Sequence, residues 1–150
     1  MKSQPTNKVS AAPRVRIRNL QRKIKINASQ LEQFADRAAA VAASLRGRTA
    51  TLPDEIFVML ISDKRMSDLH LRFMNVAGPT DVITFQHGEI FISAATAQRQ
   101  ALEFGTTTRS EIELYLAHGL LHLAGFEDRN AGQRAKMRAA EARILRRAAV

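Results

Sequence analysis

The chain has 150 residues, with 23 Lys and Arg against 14 Asp and Glu, and a formal charge of +9. Its 45% hydrophobic and 25% charged content fits one compact globular domain, and no apolar run approaches the roughly 18 residues that cross a bilayer. The absence of cysteine excludes disulfides and thiolate metal sites, leaving His, Asp and Glu for any transition-metal centre; the positive excess favours polyanionic partners.

Met1 to Pro13 are polar and aperiodic, which predicts a disordered tail (1–13) ahead of a single domain over 14–150. The segment MKSQPTNKVSAAPR carries no hydrophobic leader, so the cytoplasm is the expected location, with no membrane partner. RVRIRNL alternates, Val15 and Ile17 on one face and Arg14, Arg16 and Arg18 on the other, as in a half-buried edge strand. Ser29 and Glu32 form a capping-box pattern opening a helix that carries Leu31, Phe34, Ala38, Val41 and Leu45 inward and stops at Gly47. EIFVMLIS reads as a central buried strand. Asp63 is expected to cap a short helix with Met66, Leu69 and Phe73 on its inner face, ended by Gly78-Pro79. TDVITF and GEIFIS read as a tight hairpin. Ser93 to Phe104 predicts a helix closing at Gly105. Thr108 and Glu111 suggest a second capping box, for a helix that runs to Gly125. Asn130 and Gln133 are placed to cap a last helix through Met137, Ala140 and Ile144. There is no repeat and no internal boundary, and the pattern is one α+β layer structure.

The chemistry concentrates in LAHGLLHLAGFED. His118 and His122 are four residues apart on a predicted helix, so their imidazoles lie one above the other. That spacing lets two nitrogens reach one cation at about 2.0–2.1 Å. Gly125 can reverse the chain past the helix end, and Asp128 can return as a carboxylate ligand. Two His and one carboxylate leave a fourth position for water, the arrangement of a catalytic zinc site. The alternative for the pair alone is two core histidines bonded to backbone, and such a pair would also accept nickel or other divalent ions. Zinc peptidases with a His-Glu-x-x-His helix carry their general base right after the first His. Here that position is Gly119, so peptidase chemistry lacks its usual base.

HGLLHLAGFED resembles the His-Gly-x-Leu-His-Leu-x-Gly-Tyr-Asp-His signature of the YbeY family of single-strand-directed endoribonucleases acting in rRNA maturation. LHLRFMNVAGPTDVITF resembles the same family's Leu-Asn-x-x-Tyr-Arg…Pro-Thr-Asp-Val-Leu-Ser-Phe block without a gap between Leu69 and Phe85. GEIFIS with AQRQALEFG, and the MRAAEARIL tail, fit as well, so the resemblance runs from about Val15 to Leu145. It implies an α+β domain, with about five helices around a small, mostly parallel four-stranded sheet that has one antiparallel strand. It also implies one zinc ion and hydrolysis of a phosphodiester in single-stranded RNA, with rRNA and a ribosomal subunit as partners.

Mapped residue by residue, the resemblance gives His118 and His122 the first two ligand positions. Asp128 takes the third, where most members have His, and Glu127 is the fallback ligand where members have Asp. The family's arginine is Met74 here, and its preceding asparagine is His70. Arginine near the metal would stabilise charge on a transferring phosphoryl group, which methionine cannot do. Arg72 is two residues from Met74 and so faces elsewhere on a helix; His70 is a candidate cation or general acid. Thr80, Asp81 and Thr84 are candidates for shaping the cleft. Arg14, Arg16, Arg18, Arg134, Lys136 and Arg138 are candidates for tracking an RNA backbone. The expected reaction is attack by metal-activated water on the phosphodiester. Two other readings compete: a zinc-containing relative that binds RNA or ribosome without cutting, motivated by Met74, and a zinc hydrolase of another class, weakened by Gly119.

Overall fold

A computed structural model describes residues 12–149. The expected N-terminal tail lies outside the described residues up to residue 11, and Pro13 is already buried. The elements in chain order are β1 (Arg14–Asn19), α1 (Ala28–Ser44), β2 (Glu55–Ile61), α2 (Asp63–Met74), β3 (Val82–Phe85), β4 (Glu89–Ser93), α3 (Ala94–Phe104), α4 (Thr108–Leu123) and α5 (Ala131–Ala148).

The four strands form one sheet in the order β1-β2-β4-β3. β1, β2 and β4 run parallel, with Ile17 opposite Val58 and Val58 opposite Ile90, and β3 closes the far edge antiparallel to β4. This is the mixed sheet that the family resemblance implies. The near-continuous apolar run of β2 takes an inner position between β1 and β4, with one face fully buried and the other covered only in part, Phe57 being exposed. Ile56, Val58 and Leu60 point to one side with Ile90 and Ile92, all fully buried beneath α1, α4 and α5. Ala35, Ala38, Ala39 and Ala42 are fully buried along α1, and their small side chains let that helix lie close to its neighbours. Leu31 and Phe34, buried on the same face, each contribute on the order of 1.5–3 kcal/mol. The other side of the sheet is thinner, with Ile61, Met66 and Ile83 forming a small cluster under α2.

β1 is an edge strand, as its exposed arginines suggest, and its outer amides are occupied. Val15 N–H donates to Asp36 (2.9 Å) and Ile17 N–H to Glu32 (3.0 Å), both from α1. That use of Glu32 explains why Ser29 and Glu32 are not a capping box: α1 starts earlier, at the Asn27 cap, whose side chain accepts from Gln30 N–H at 3.1 Å. A smaller offset, of one residue, occurs at two more helices. Ser62, not Asp63, caps α2, and Asp63 instead receives Ser93 (2.6 Å), Thr96 (2.8 Å) and Arg99 from the start of α3. Thr107 caps α4 in a reciprocal pair with Ser110, while Glu111 accepts from Thr106 at 2.7 Å. Asn130 caps α5 as expected, accepting from Gln133 N–H at 2.9 Å. Phe73 departs from its expected inner position: it is 54% exposed, because in the last turn of α2 it lies against Phe85 of β3, the last strand of the sheet.

Candidate metal centre

The site is built around the second half of α4. His118 and His122 sit one helical turn apart, half-buried, with ring centroids 4.5 Å apart. Between them Gly119 lies against the sheet, where an added Cβ would meet Ile90 and the Thr84 hydroxyl at 3.0 Å. The missing peptidase base therefore has a steric reason: α4 packs onto β3 and β4 at this point, and no side chain fits between them.

The helix ends in a Schellman motif. Gly125, at φ +96°, donates its N–H to His122 O (3.0 Å), and Phe126 N–H reaches Leu121 O (2.9 Å). Thr49 and Ala50 bond the Ala124 carbonyl from the loop after α1, so close that a Cβ on Gly125 would stand 2.1 Å from Thr49 Oγ1. The turn aims the Phe126 carbonyl back at His122, whose Nδ1–H donates to it at 3.0 Å. Three residues on, the chain is clamped again, Arg129 N–H donating to Gln133 Oε1 at 2.9 Å. Asp128 is held between these two clamps.

Asp128 Oδ2 lies 3.4 Å from His118 Nε2 and 3.5 Å from His122 Nε2, and the two Nε2 atoms are 2.9 Å apart. Tetrahedral donors at zinc distances have edges of about 3.3–3.4 Å, so the three atoms have the spacing of three corners of such a set. These three residues are the one group among the described residues with His or carboxylate donors close enough to hold a metal ion.

The protons point the same way. His118 Nδ1 is 2.9 Å from Glu141 Oε1, on α5. Glu141 and the Phe126 carbonyl can only accept, so each imidazole carries its proton on Nδ1 and turns the Nε2 lone pair inward. Two bare lone pairs 2.9 Å apart repel, and a cation between them would relieve that repulsion. The surroundings shift the two rings in opposite directions. Burial pulls the His118 pKa down, but the hydrogen bond and charge of Glu141, with Asp128 and Asp81 behind them, outweigh it and raise it above the ordinary value. Burial and the neighbouring His118 lower that of His122. The donor set suits a cation between the two Nε2 atoms.

The other sequence candidates spread around this centre. Thr84 points at Gly119, its hydroxyl buried without a partner. Asp81 lies near enough for its charge to act on His118, but Oδ1 is committed to Val82 N–H (2.8 Å) and the Thr80 hydroxyl (3.4 Å). Glu127 turns outward toward Gln133 (3.4 Å) and Arg129 (3.8 Å) rather than to the histidines. His70 donates Nδ1–H to Gly78 O (2.9 Å) and holds the loop after α2. Arg72 lies over the Phe73 ring at 5.5 Å, and Met74 is exposed; neither belongs to the His–Asp group.

A cavity of about 310 Å³ opens beside the donors, lined by His122, Asp128, Thr49, Gln86, Glu127 and Arg129 among others. Gln86, Arg129 and Glu141 were not singled out by sequence reasoning. For Gln86, in a hairpin turn, and Arg129, in a loop, no local pattern marks them. For Glu141 there was a signal: it stands four residues after Met137 and three before Ile144, a carboxylate beside the apolar stripe of α5.

Comparison with known proteins follows the same lines. The family described as Endoribonuclease YbeY matches residues 16–149. The chain belongs to the YbeY family. Curated relatives bearing the name Endoribonuclease YbeY include one from Heliobacterium modesticaldum, 34% identical over 61% of this chain and 68% of its own length. A second, from Bacteroides fragilis, is 32% identical over 71% and 78%. A third, from Thermobifida fusca, is 36% identical, but the match spans only 49% of this chain and 58% of that relative. The solution structure of TM1509 from Thermotoga maritima has the same fold, with a TM-score of 0.58, 26% identity and coverage of 87% of this chain and 88% of that one. Among the described residues no helix is long and apolar enough to cross a membrane.

Proposed function

We propose that the chain is a metal-dependent endoribonuclease that holds one zinc ion on His118, His122 and Asp128 and hydrolyses phosphodiesters of single-stranded RNA, acting in the cytoplasm on rRNA. The observation that carries this reading is the convergence of two inward Nε2 lone pairs and one carboxylate oxygen beside a cavity that His122 and Asp128 line, in a chain whose named relatives are endoribonucleases. When bound, zinc would lower the pKa of water toward about 7 and offset charge on the phosphoryl oxygens.

The chain's own residues do the remaining work. Glu141 and the Phe126 carbonyl fix the tautomer and aim of the two imidazoles, and Asp128 lowers the charge of the centre by one. The net +9 charge draws a polyanion to the surface. Arg129 lines the cavity, paired loosely with Glu127, and is an arginine free to swing toward a phosphoryl group, which Met74 cannot bind. The test is metal content and RNA cleavage measured together on the wild type and on His122→Ala. About one equivalent of zinc, with cleavage that disappears in the variant, supports the reading; no zinc uptake refutes it.

A second reading is favoured by one observation. Met74 is exposed and Arg72 is engaged with Phe73, so no arginine of α2 joins the His–Asp group. Zinc binding and RNA binding without cleavage would establish a non-catalytic relative.

A further inference from the structure

Phe73, Phe85, His87 and Phe91 form a connected aromatic group on the side of the sheet away from α4. Phe85 is its hub, 5.1 Å from Phe73 and 5.8 Å from Phe91 edge to face, and 6.0 Å from the His87 ring, inclined only 28° to it. A group of this kind would ordinarily be covered. Instead Phe73 is 54% exposed, and Leu71, Met74 and Val76 around it are 47–56% exposed. The Arg72 guanidinium lies 5.5 Å over the Phe73 ring, putting a planar cation and an aromatic face in one exposed spot.

The group is continuous with the candidate metal centre. Thr84 turns toward Gly119, beside His118, and Phe85 turns to the other face of the same edge strand. The next residue, Gln86, lines the cavity of His122 and Asp128. β3 lies at the end of the sheet, with no further strand beyond it among the described residues, and it carries Thr84 on the side of α4 and Phe85 on the side of the rings. A strand with its phosphate at the metal can drape a neighbouring nucleotide over that edge.

We infer that Phe73, with Phe85 behind it and Arg72 over it, is a stacking subsite for an unpaired base flanking the phosphodiester held at the metal centre. The inference rests on the reading of the chain as an RNA-acting protein, and it names the feature of the substrate that is selected. A duplex keeps its bases stacked within itself, whereas a single strand can offer one to an exposed ring. Arg72 adds a cation for the adjacent phosphate or a second plane for the base. The overall positive charge suits this occupant.

The chain contains no tryptophan, so Phe73→Trp introduces a single reporter at an exposed position. The probe is a single-stranded 2′-O-methyl heptanucleotide, compared with the same oligonucleotide made abasic throughout. Saturable quenching by the first but not by the second is expected. Phe73→Ala is expected to bind the intact probe about five- to a hundred-fold more weakly, Phe73→Tyr to restore binding, and zinc content to stay unchanged in all three. Emission indifferent to the probe, equal quenching by the abasic strand, or wild-type binding by Phe73→Ala overturns the inference; the last outcome would leave this face to a protein partner. Quenching in a protein that cuts no RNA would defeat the ribonuclease reading and uphold the base subsite, so the two fail separately.

Discussion

Removing the Glu141 carboxylate is the perturbation that most directly tests how the histidines are held. Its side chain is only 13% exposed, and Oε1 sits 2.9 Å from His118 Nδ1, so solvent screens this charge-assisted bond poorly. Partners of this kind orient a ligating imidazole and raise its basicity, and losing one costs about 10–100-fold in metal affinity, or about 1.4–2.7 kcal/mol. The low exposure places Glu141→Ala toward the upper end. Glu141→Gln keeps an acceptor at the same position but no charge, and belongs toward the lower end. Zinc affinity is read by competition with a chromophoric chelator, and the melting of the metal-free proteins is followed in parallel to separate folding from ligation. If Glu141→Ala folds normally and binds zinc as tightly as the wild type, the carboxylate does not orient His118, and the proton argument for the inward Nε2 atoms fails with it.

Gly125→Ala combines a left-handed strain of about 1–2 kcal/mol with loss of the Thr49 contacts at about 1 kcal/mol; denaturant unfolding should show a loss of about 2–3 kcal/mol. In chelator, unfolded His118 titrates near its ordinary pKa of about 6.5 and the folded one above it. Its contribution to stability is therefore complete below about pH 6.5 and fades as pH rises through the folded value; unfolding midpoints between pH 6 and 8 should fall less in Glu141→Gln than in the wild type. The Asp63 carboxyl is partly desolvated, yet bonds from Arg99, Ser93 and Thr96 outweigh this and hold its pKa below the ordinary value. Its contribution is present above about pH 4 and lost as pH falls through the folded pKa, and Asp63→Asn, discounted for partial exposure, should cost about 1–2 kcal/mol at pH 7. Arg129→Ala should slow RNA cleavage about ten-fold or more with zinc content unchanged; unaltered turnover would remove that residue from the reaction.

Elements with a strong period were legible in the sequence. The alternation of β1, the unbroken apolar run of β2 and the His118–His122 spacing all depend on contacts set by local geometry, and the structure brings both histidines and Asp128 together. Cap positions were less legible, because Glu32 and Asp63 look like parts of local motifs while bonding partners 15 to 36 residues away. Phe73 was misjudged for a related reason: helical periodicity says which face a residue takes, not whether another element covers that face. Glu141 reaches His118 from 23 residues away, and only packing of α4 against α5 decides that meeting.

All three candidate donors fall within eleven consecutive residues, His118 to Asp128, on one helix end and one turn. A chelate so local has low contact order and can close before the parallel strands, whose pairings join distant parts of the chain, have met. Zinc would then bind the unfolded chain appreciably. Affinity for the unfolded state subtracts from the stabilisation a ligand gives the folded one, so the metal should raise the melting temperature by less than its affinity for the native protein suggests. In this protein the ion would serve folding more as an early guide for α4 and its turn than as a late lock on the finished domain.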